Sequence, residues 1–374
     1  MSHAEVVELP EDSPWLTPIW QTQTRAPQKP YCNHFPKRLL CYVHNKARTD
    51  KSPVICASEN DEKIEQALEQ AFQLLAPVVQ QEICTLAAIY IHRNQPDEPW
   101  MGYIAINEKF KGQTNQHVIG LSSRLFDELG TQGQADTNKA LWLFGLGSKK
   151  SLLPPSDSSL DLSFEYDSKI GDSPLFRLIS TLTHEVGHRV YYKHVGSEAL
   201  LEVDSRDPSV HVFYEQTKPK TFAAMSWRNE AWHTLVNGDM KTAYEKNSLR
   251  PPFHFSFFNK LCFYECKNKP IPPAQASAFW AQFRKLPFVS LYAATNPYED
   301  FAESWTDSLL MSTLSSKCVV RLAGQIVFDS EVVEKSAHYR PKALFMKKLA
   351  KRVRIIQIKN EAEALKKKRD ANVI

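Results

Sequence analysis

The segment from about residue 174 to residue 194 constrains this chain more than any other, because its apolar residues recur at helical spacing. An amphipathic helix buries such a stripe against a core. The stripe consists of Leu175, Ile179, Leu182, Val186 and Val190. Beside it, within TLTHEVGHRV, lie the members of a His-Glu-x-x-His pattern: His184, Glu185 and His188.

This pattern supplies two ligands and a base for metal chemistry. Helical residues four apart share a face, so the imidazoles of His184 and His188 can reach one zinc ion about 2.0 Å from each nitrogen. Glu185 can take a proton from water, whose pKa zinc lowers to about 7. Gly187 leaves room for close packing between the two histidines. Two ordinary histidines on a helix are the alternative interpretation.

A catalytic zinc site needs a third protein ligand, and His194 is one candidate. HEVGHRVYYKH matches the metzincin spacing His-Glu-x-x-His-x-x-Gly-x-x-His except that Tyr191 replaces the glycine. Tyrosine disfavours the positive φ of that turn. If the helix continues, His194 lies about 15 Å along the axis from His184, too far for a shared ion.

Glu299 is the other candidate. Asn296 and Pro297 read as an N-cap and a first helical residue, which places Glu299 and Glu303 on one helical face. This is the gluzincin arrangement. A capping-box glutamate is the competing interpretation of Glu299.

The stretch YAATNPYEDFAE carries a family resemblance. Tyr292, seven positions before Glu299, and the following Asp300-Phe301-Ala302-Glu303 resemble the downstream motif of the anthrax lethal factor and Mlc titration factor peptidases, which are zinc-dependent gluzincins. The resemblance covers 183–189 and about 290–306. It implies that His184, His188 and Glu299 bind one zinc ion per chain.

The same resemblance implies roles for three further residues, Glu185, Tyr292 and Glu303, and leaves Asp300 without one. Glu185 would be the general base, and Tyr292 would stabilise the oxyanion formed on the peptide carbonyl. Glu303 would accept a hydrogen bond from the second ring nitrogen of a ligand histidine. Asp300 is expected to be a solvated residue of the helix's first turn.

Composition and charge exclude several classes of protein. With 43% hydrophobic and 24% charged residues, the 374-residue chain reads as a soluble globular protein rather than a disordered one. The net charge of +4 is concentrated near the C-terminus, so nucleic-acid binding is not expected. The run 83–91 is too short to span a membrane, which takes about 20 apolar residues.

The termini and the cysteines bear on the compartment. The sequence as written shows no signal peptide, so we expect a cytoplasmic protein or one exported without a cleaved leader. A protein whose leader had already been removed would show the same sequence. The odd number of cysteines, seven, indicates mostly reduced thiols. Cys262 and Cys266 are interpreted as structural thiols rather than metal ligands.

The remaining segments predict an α+β organisation in three parts. A proline-rich arm over 1–57 precedes a zincin-like domain over 58–350, and a basic helix over 351–374 follows it. Within the domain we expect a helix over 59–81 capped by Ser58 and a small, mostly antiparallel sheet. Its strands would be 83–93, 101–110 and 117–123. The last of these, HVIGLSS, would be either the edge strand above the cleft or a buried interior strand.

The rest of the domain holds further expected elements. The aromatic insertion over 195–290 is expected to be largely helical and to face the substrate or to fill a second small core. We also expect a helix from Pro297, a hairpin over 318–330 and a basic helix over 341–370.

The functional expectation is a zinc metallopeptidase that hydrolyses protein or peptide substrates. A metzincin-type protease using His194 is one alternative. A zinc-binding regulatory protein that holds a partner without turnover is the other.

Overall fold

A computed structural model describes residues 32–43, 61–93, 101–106, 117–127, 130–148, 151, 153–195, 221–229, 247–261 and 270–371. Its α-helices are α1 (Glu62–Leu74), α2 (Pro77–Cys84), α3 (Arg124–Asp127), α4 (Gln132–Leu143), α5 (Pro174–Val190), α6 (Ala276–Phe283), α7 (Pro297–Leu314), α8 (Ser330–Lys335) and α9 (Arg340–Ala371). Its strands are β1 (Leu40–Val43), β2 (Ala88–His92), β3 (Gly102–Ile106), β4 (His117–Ser122), β5 (Leu162–Asp167), β6 (Trp227–Asn229), β7 (Asn247–Leu249), β8 (Lys317–Leu322) and β9 (Gln325–Asp329). The mixed α+β class expected from the sequence is confirmed at this level.

The largest described sheet has the order β1-β2-β4-β3. β1 pairs with β2 and β2 with β4 in parallel, and only β3 pairs antiparallel, with β4. The expectation of a mostly antiparallel sheet is therefore wrong here. β1, β2 and β4 are buried along their whole length. Burial of both faces is typical of parallel strands, and it explains their continuous apolar sequences.

The edge of this sheet next to α5 is β3, not β4. β4 lies between β2 and β3, so the interior-strand interpretation of HVIGLSS is correct and the edge-strand interpretation is wrong. A methyl carbon placed on Gly102, the first residue of β3, would lie 2.8 Å from Oε1 of Glu185. The edge strand thus passes directly against the helix that carries the His-Glu-x-x-His pattern.

The expected helix over 59–81 is divided into α1 and α2. Pro77 begins α2, and Ala76 before it has an extended backbone (ψ 140°). Proline disfavours helical geometry in the residue that precedes it, so the break follows from the sequence. Asp61 caps α1 by accepting a hydrogen bond from the amide of Ile64, whereas Ser58 lies outside the described residues.

Three of the four described cysteines are oxidised, so the expectation of mostly reduced thiols is wrong for this part of the chain. Cys32 is bonded to Cys84, with the two Cα atoms 5.9 Å apart. Cys41, on β1, is also in a disulfide. Cys318 is a free, buried thiol. Cys262 and Cys266 lie outside the described residues.

The described residues form two large apolar cores. The first lies between the sheet and α1, α2, α5 and α7, and it contains or contacts the whole predicted stripe of α5. The second is dominated by aromatic residues of the 195–290 insertion, including Phe255, Phe279 and Phe283, packed with Val320 and Phe328 of the β8–β9 hairpin. Of the two interpretations of these aromatic residues, packing in a second core is confirmed.

Within the described parts of the insertion, α-helix is confined to α6, beside short 3-10 turns and the strands β6 and β7. The hairpin expected over 318–330 is confirmed as β8 and β9. The arm over 1–57 contributes β1 to the first sheet, and its other segments, 1–31 and 44–57, lie outside the described residues.

The C-terminal helix α9 is one uninterrupted element of 32 residues. The boundary drawn between 350 and 351 therefore falls inside it. Its first half packs on the body, where Met346, Leu349 and Val353 are buried. No helix in the described part of the chain is both long enough and apolar enough to cross a membrane.

The helices α5 and α7 cross closely at Gly187. A methyl carbon placed there would lie 3.0 Å from Cδ1 of Trp305 and 3.2 Å from Cα of Ala302, both on α7. Glycine therefore lets the two backbones approach, and the space expected between the two histidines is used by the partner helix instead. This contact sets the distance between the residues that α5 and α7 present to each other.

A buried ion pair fixes the start of α7. Nζ of Lys342, on α9, lies 2.7 and 2.6 Å from the two carboxylate oxygens of Asp300 and donates to the carbonyl of Pro287. Nε1 of Trp227 donates to Oδ2 of Asp300 at 2.9 Å. Asp300 and Lys342 are both fully buried, so the expectation of a solvated Asp300 is wrong.

We predict that Lys342→Met destabilises the protein, because it leaves the Asp300 carboxylate buried without its partner. The free energy of unfolding should fall by about 3–5 kcal/mol, measured by denaturant titration. Replacing both members, as Lys342→Met with Asp300→Leu, should recover part of the loss. Lys335→Met, which removes an exposed pair with Glu331, should change stability little. A Lys342→Met variant as stable as the native chain would contradict this account.

Candidate metal centre

Two imidazole nitrogens and one carboxylate oxygen converge between α5 and α7. Nε2 of His184 lies 3.1 Å from Nε2 of His188 and 3.1 Å from Oε2 of Glu299. Nε2 of His188 lies 3.4 Å from the same oxygen. Among the described residues these three form a group able to hold a metal ion.

The local sequence explains this placement. His184 and His188 lie one helical turn apart on α5, which begins at Ser173, whose side chain accepts from the amide of Phe176. α7 begins at Asn296, whose side chain accepts from the amides of Tyr298 and Glu299, as predicted. Glu299 is therefore fixed in the first turn of α7, where that helix faces the two histidines.

The spacing of the three atoms fits a tetrahedral ion. Ligands about 2.0–2.1 Å from a tetrahedral centre are separated by about 3.3 Å, close to the observed separations. Oε2 of Glu299 is buried and accepts no aligned hydrogen bond, although two nitrogens lie near it. A buried carboxylate oxygen without a donor is costly, and a cation at the shared centre would compensate it. The residues present therefore fit a metal ion.

The ionisation of the group also suits a cation. Burial would raise the pKa of Glu299, but the neighbouring His188 and His184 outweigh burial and hold it below its usual value. Burial lowers the pKa of His188, which favours the neutral imidazole that a metal requires. Burial would also lower the pKa of His184, but the carboxylates of Glu299 and Glu303 raise it well above the usual value. A metal bound at Nε2 of His184 would therefore replace a proton there.

Two further side chains orient the histidines. Nδ1 of His184 lies 2.7 Å from Oε1 of Glu303, and Oγ of Ser290 donates to Oε2 of Glu303 at 2.6 Å. This contact fixes which nitrogen of His184 faces the centre. The ring of Tyr298 stacks on that of His188, with centroids 3.8 Å apart.

Glu185 lies between the centre and the edge strand. Its side chain is almost fully buried, and burial first, with smaller contributions from Glu299 and Glu303, raises the pKa of its carboxyl to about 8 against the opposing effect of His184. Gly102 on β3 is its close neighbour. A larger residue than glycine at position 102 would displace the Glu185 carboxylate.

Tyr292 lies in a 3-10 turn just before α7, and its ring centroid is 5.8 Å from that of His184. A cavity of about 80 Å³ adjoins Tyr292 and Glu303. Trp280 and Phe283 of the insertion line part of it. The insertion therefore both fills the second core and reaches the neighbourhood of the site.

His194 lies outside the group formed by His184, His188 and Glu299. After Val190 the chain continues as a π-helical turn, Tyr191–Val195, instead of turning back. Nε2 of His194 lies 3.9 Å from Oε1 of Glu82, a buried carboxylate of α2. The third position beside His184 and His188 is occupied by Glu299.

The sequence interpretation missed four residues of this region: Gly102, Ser290, Tyr298 and Lys342. Tyr298 and Ser290 lie within the stretch that carries the resemblance, so their positions gave a signal. Gly102 and Lys342 come from β3 and α9, distant in sequence, and no spacing rule connects them to the site.

Comparisons of the chain with protein-family models, with curated proteins and with solved structures give no match. The assignment of this site therefore rests on its own geometry and chemistry.

We predict that the purified native chain and His194→Ala each contain one metal ion, and that Glu299→Ala loses it. Removing the only anionic ligand of the three abolishes tight binding, whereas His194 lies beside Glu82. Metal content measured by mass spectrometry tests this. Retention of the ion by Glu299→Ala together with its loss from His194→Ala would contradict the geometry.

Glu303→Ala should weaken metal affinity by about 10–100-fold, because His184 loses the carboxylate that orients its ring. Competition with a chromogenic chelator measures this affinity. Glu331→Ala, which removes an exposed glutamate on α8, is the matched control and should leave the affinity unchanged. Equal affinities for the two variants would mean that the contact with Glu303 does not orient the ligand.

Proposed function

We propose that this chain is a zinc-dependent metallopeptidase. The observation that supports the proposal most directly is the convergence of His184, His188 and Glu299 on one centre, with the carboxylate of Glu185 following His184 on the same helix. The resemblance to the gluzincin peptidases rests on the same residues. A regulatory protein that binds zinc without turnover needs the three ligands but has no use for Glu185.

The three residues would hold zinc in preference to magnesium or calcium. Two imidazoles and one carboxylate form a mixed nitrogen and oxygen set, which suits zinc, whereas magnesium and calcium favour oxygen ligands. When bound, zinc supplies Lewis-acid activation of water and of the scissile carbonyl.

Glu185 is the general base in this proposal. A cation at the centre would lower the pKa of Glu185 from its raised value of about 8 and favour the carboxylate. This carboxylate accepts a proton from the attacking water and returns it to the amine that leaves, so no net proton is lost in the cycle. Burial between α5 and β3 keeps bulk water from this carboxylate. Tyr292, beside His184, donates a hydrogen bond to the oxyanion of the tetrahedral intermediate.

The substrate class is a polypeptide in extended conformation. Within the described sheet β3 is an edge strand, and its outer backbone groups are placed to pair with an added strand. Because β3 also touches Glu185 through Gly102, a peptide paired with β3 would pass beside the proposed base. This role, first expected for HVIGLSS, belongs to β3.

The disulfides favour export over the cytoplasm. Disulfides form and persist mainly in oxidising compartments, and three described cysteines are oxidised. Of the two localisations expected from the sequence, we infer the exported one.

The Glu185→Gln variant tests the proposal. Incubation with a mixture of unlabelled peptides, followed by mass spectrometry of the products, should show cleavage by the native chain. Glu185→Gln should lower the rate by about 100–10,000-fold while retaining its zinc, because only the base is lost. Glu165→Gln, an exposed glutamate on β5, is the matched control and should cleave normally.

Two outcomes would overturn the proposal. Cleavage by Glu185→Gln at the native rate would exclude Glu185 as the base. Zinc in the native chain with no cleavage of any peptide would favour the regulatory alternative, a protein that binds a partner without turnover.

A further inference from the structure

The outer face of α9 carries an aliphatic stripe that the body does not cover. At 100° per residue its four members lie within an arc of about 80°, roughly opposite the buried face of the helix. They are Leu344, Ile355, Ile358 and Leu365, whose exposed fractions are 49%, 45%, 49% and 66%. Isolated exposed apolar residues are common, but an aligned set over 22 residues of one helix is not.

Cationic residues lie within this stripe and along one side of it. Residues 340–371 contain 12 Lys and Arg and only 3 acidic residues, although the whole chain has a net charge of only +4. The charge is therefore strongly segregated to this helix. Seven of these cations are exposed and form no ion pair with the described residues: Arg340, Lys347, Lys348, Lys351, Arg352, Lys359 and Lys366.

The aliphatic stripe and the cationic residues together indicate which partner binds the outer face of α9. A second copy of the helix would bring like charges together, so the cations oppose self-association. Single-stranded nucleic acid is bound through aromatic stacking as well as through cations, and this stripe contains only Leu and Ile. An anionic lipid surface satisfies both features, because acyl chains accept aliphatic side chains and headgroups accept Lys and Arg.

We propose that the outer face of α9 docks the protein on anionic lipid surfaces, with its aliphatic stripe inserted at the level of the headgroups. The axis of α9 then lies in the plane of the membrane, and Met346, Leu349 and Val353 remain packed on the body. This inference is independent of the proposed peptidase activity, because it uses no residue of the metal centre.

Sedimentation of the full chain with lipid vesicles tests the proposal. The protein should sediment with vesicles of phosphatidylcholine and phosphatidylserine and remain free with phosphatidylcholine alone. Ile355→Ser with Ile358→Ser should weaken partitioning by about tenfold or more, because two half-exposed side chains lose their apolar insertion. Lys351→Glu with Lys359→Glu should weaken it by at least about 25-fold and reduce the dependence of the residual binding on salt.

Matched controls use exposed residues on other elements. Ile326→Ser with Val332→Ser removes two apolar side chains of comparable exposure, on β9 and α8. Lys63→Glu with Lys285→Glu makes the same change in net charge away from α9. Both control variants should partition as the native chain does. Equal thermal unfolding midpoints verify that each variant is folded.

The alternative outcomes each overturn the proposal. Equal binding to both kinds of vesicle, or to neither, removes the anionic lipid as the occupant. If the control variants also lose vesicle binding, that binding depends on the overall charge of the protein rather than on α9. Binding that responds to the lysine variant but not to the isoleucine variant excludes insertion of the stripe. Retention on nucleic acid without vesicle binding assigns the surface to that class of partner.

Discussion

The close crossing of α5 and α7 is the contact on which the candidate site depends. Gly187 lies against Ala302 and Trp305, and this approach brings Glu299 within 3.1–3.4 Å of the two histidine nitrogens. Neither helix holds a metal site alone, because α5 supplies two ligands and a catalytic zinc needs three. The packing of an apolar core and the geometry of a polar site are thus set by the same few side chains.

Most polar residues of the site are buried, and several have partners that compensate their removal from water. Glu303 holds His184, Tyr298 stacks on His188, and Lys342 neutralises Asp300 behind the first turn of α7. A buried polar group that loses its partner costs free energy, so these contacts restrict the positions that the helices can adopt. Rigid ligands in turn favour a metal of defined geometry.

Much of the local structure could be predicted because it depends on short-range rules. The stripe of α5, the cap Asn296 with Pro297, the hairpin and the C-terminal helix follow from spacing, capping and breaker residues. The strand order could not be read in this way. β3 intervenes in sequence between two strands that pair in parallel across the sheet, and apolar strands buried on both faces carry no register signal. The pairing of Cys32 with Cys84 likewise depends on proximity in space.

The sequence by itself determined which side chains are available to the site: a helix with His184, Glu185 and His188, and a second helix with Glu299 and Glu303 in its first two turns. The choice between His194 and Glu299 was made by the tertiary structure, because the chain continues past Tyr191 as a π-helical turn and Gly187 allows α7 to pack closely. Only folding also placed Gly102 against Glu185 and Lys342 against Asp300. Spacing rules act within one helix or strand, whereas these contacts join elements distant in sequence, and core packing fixes them.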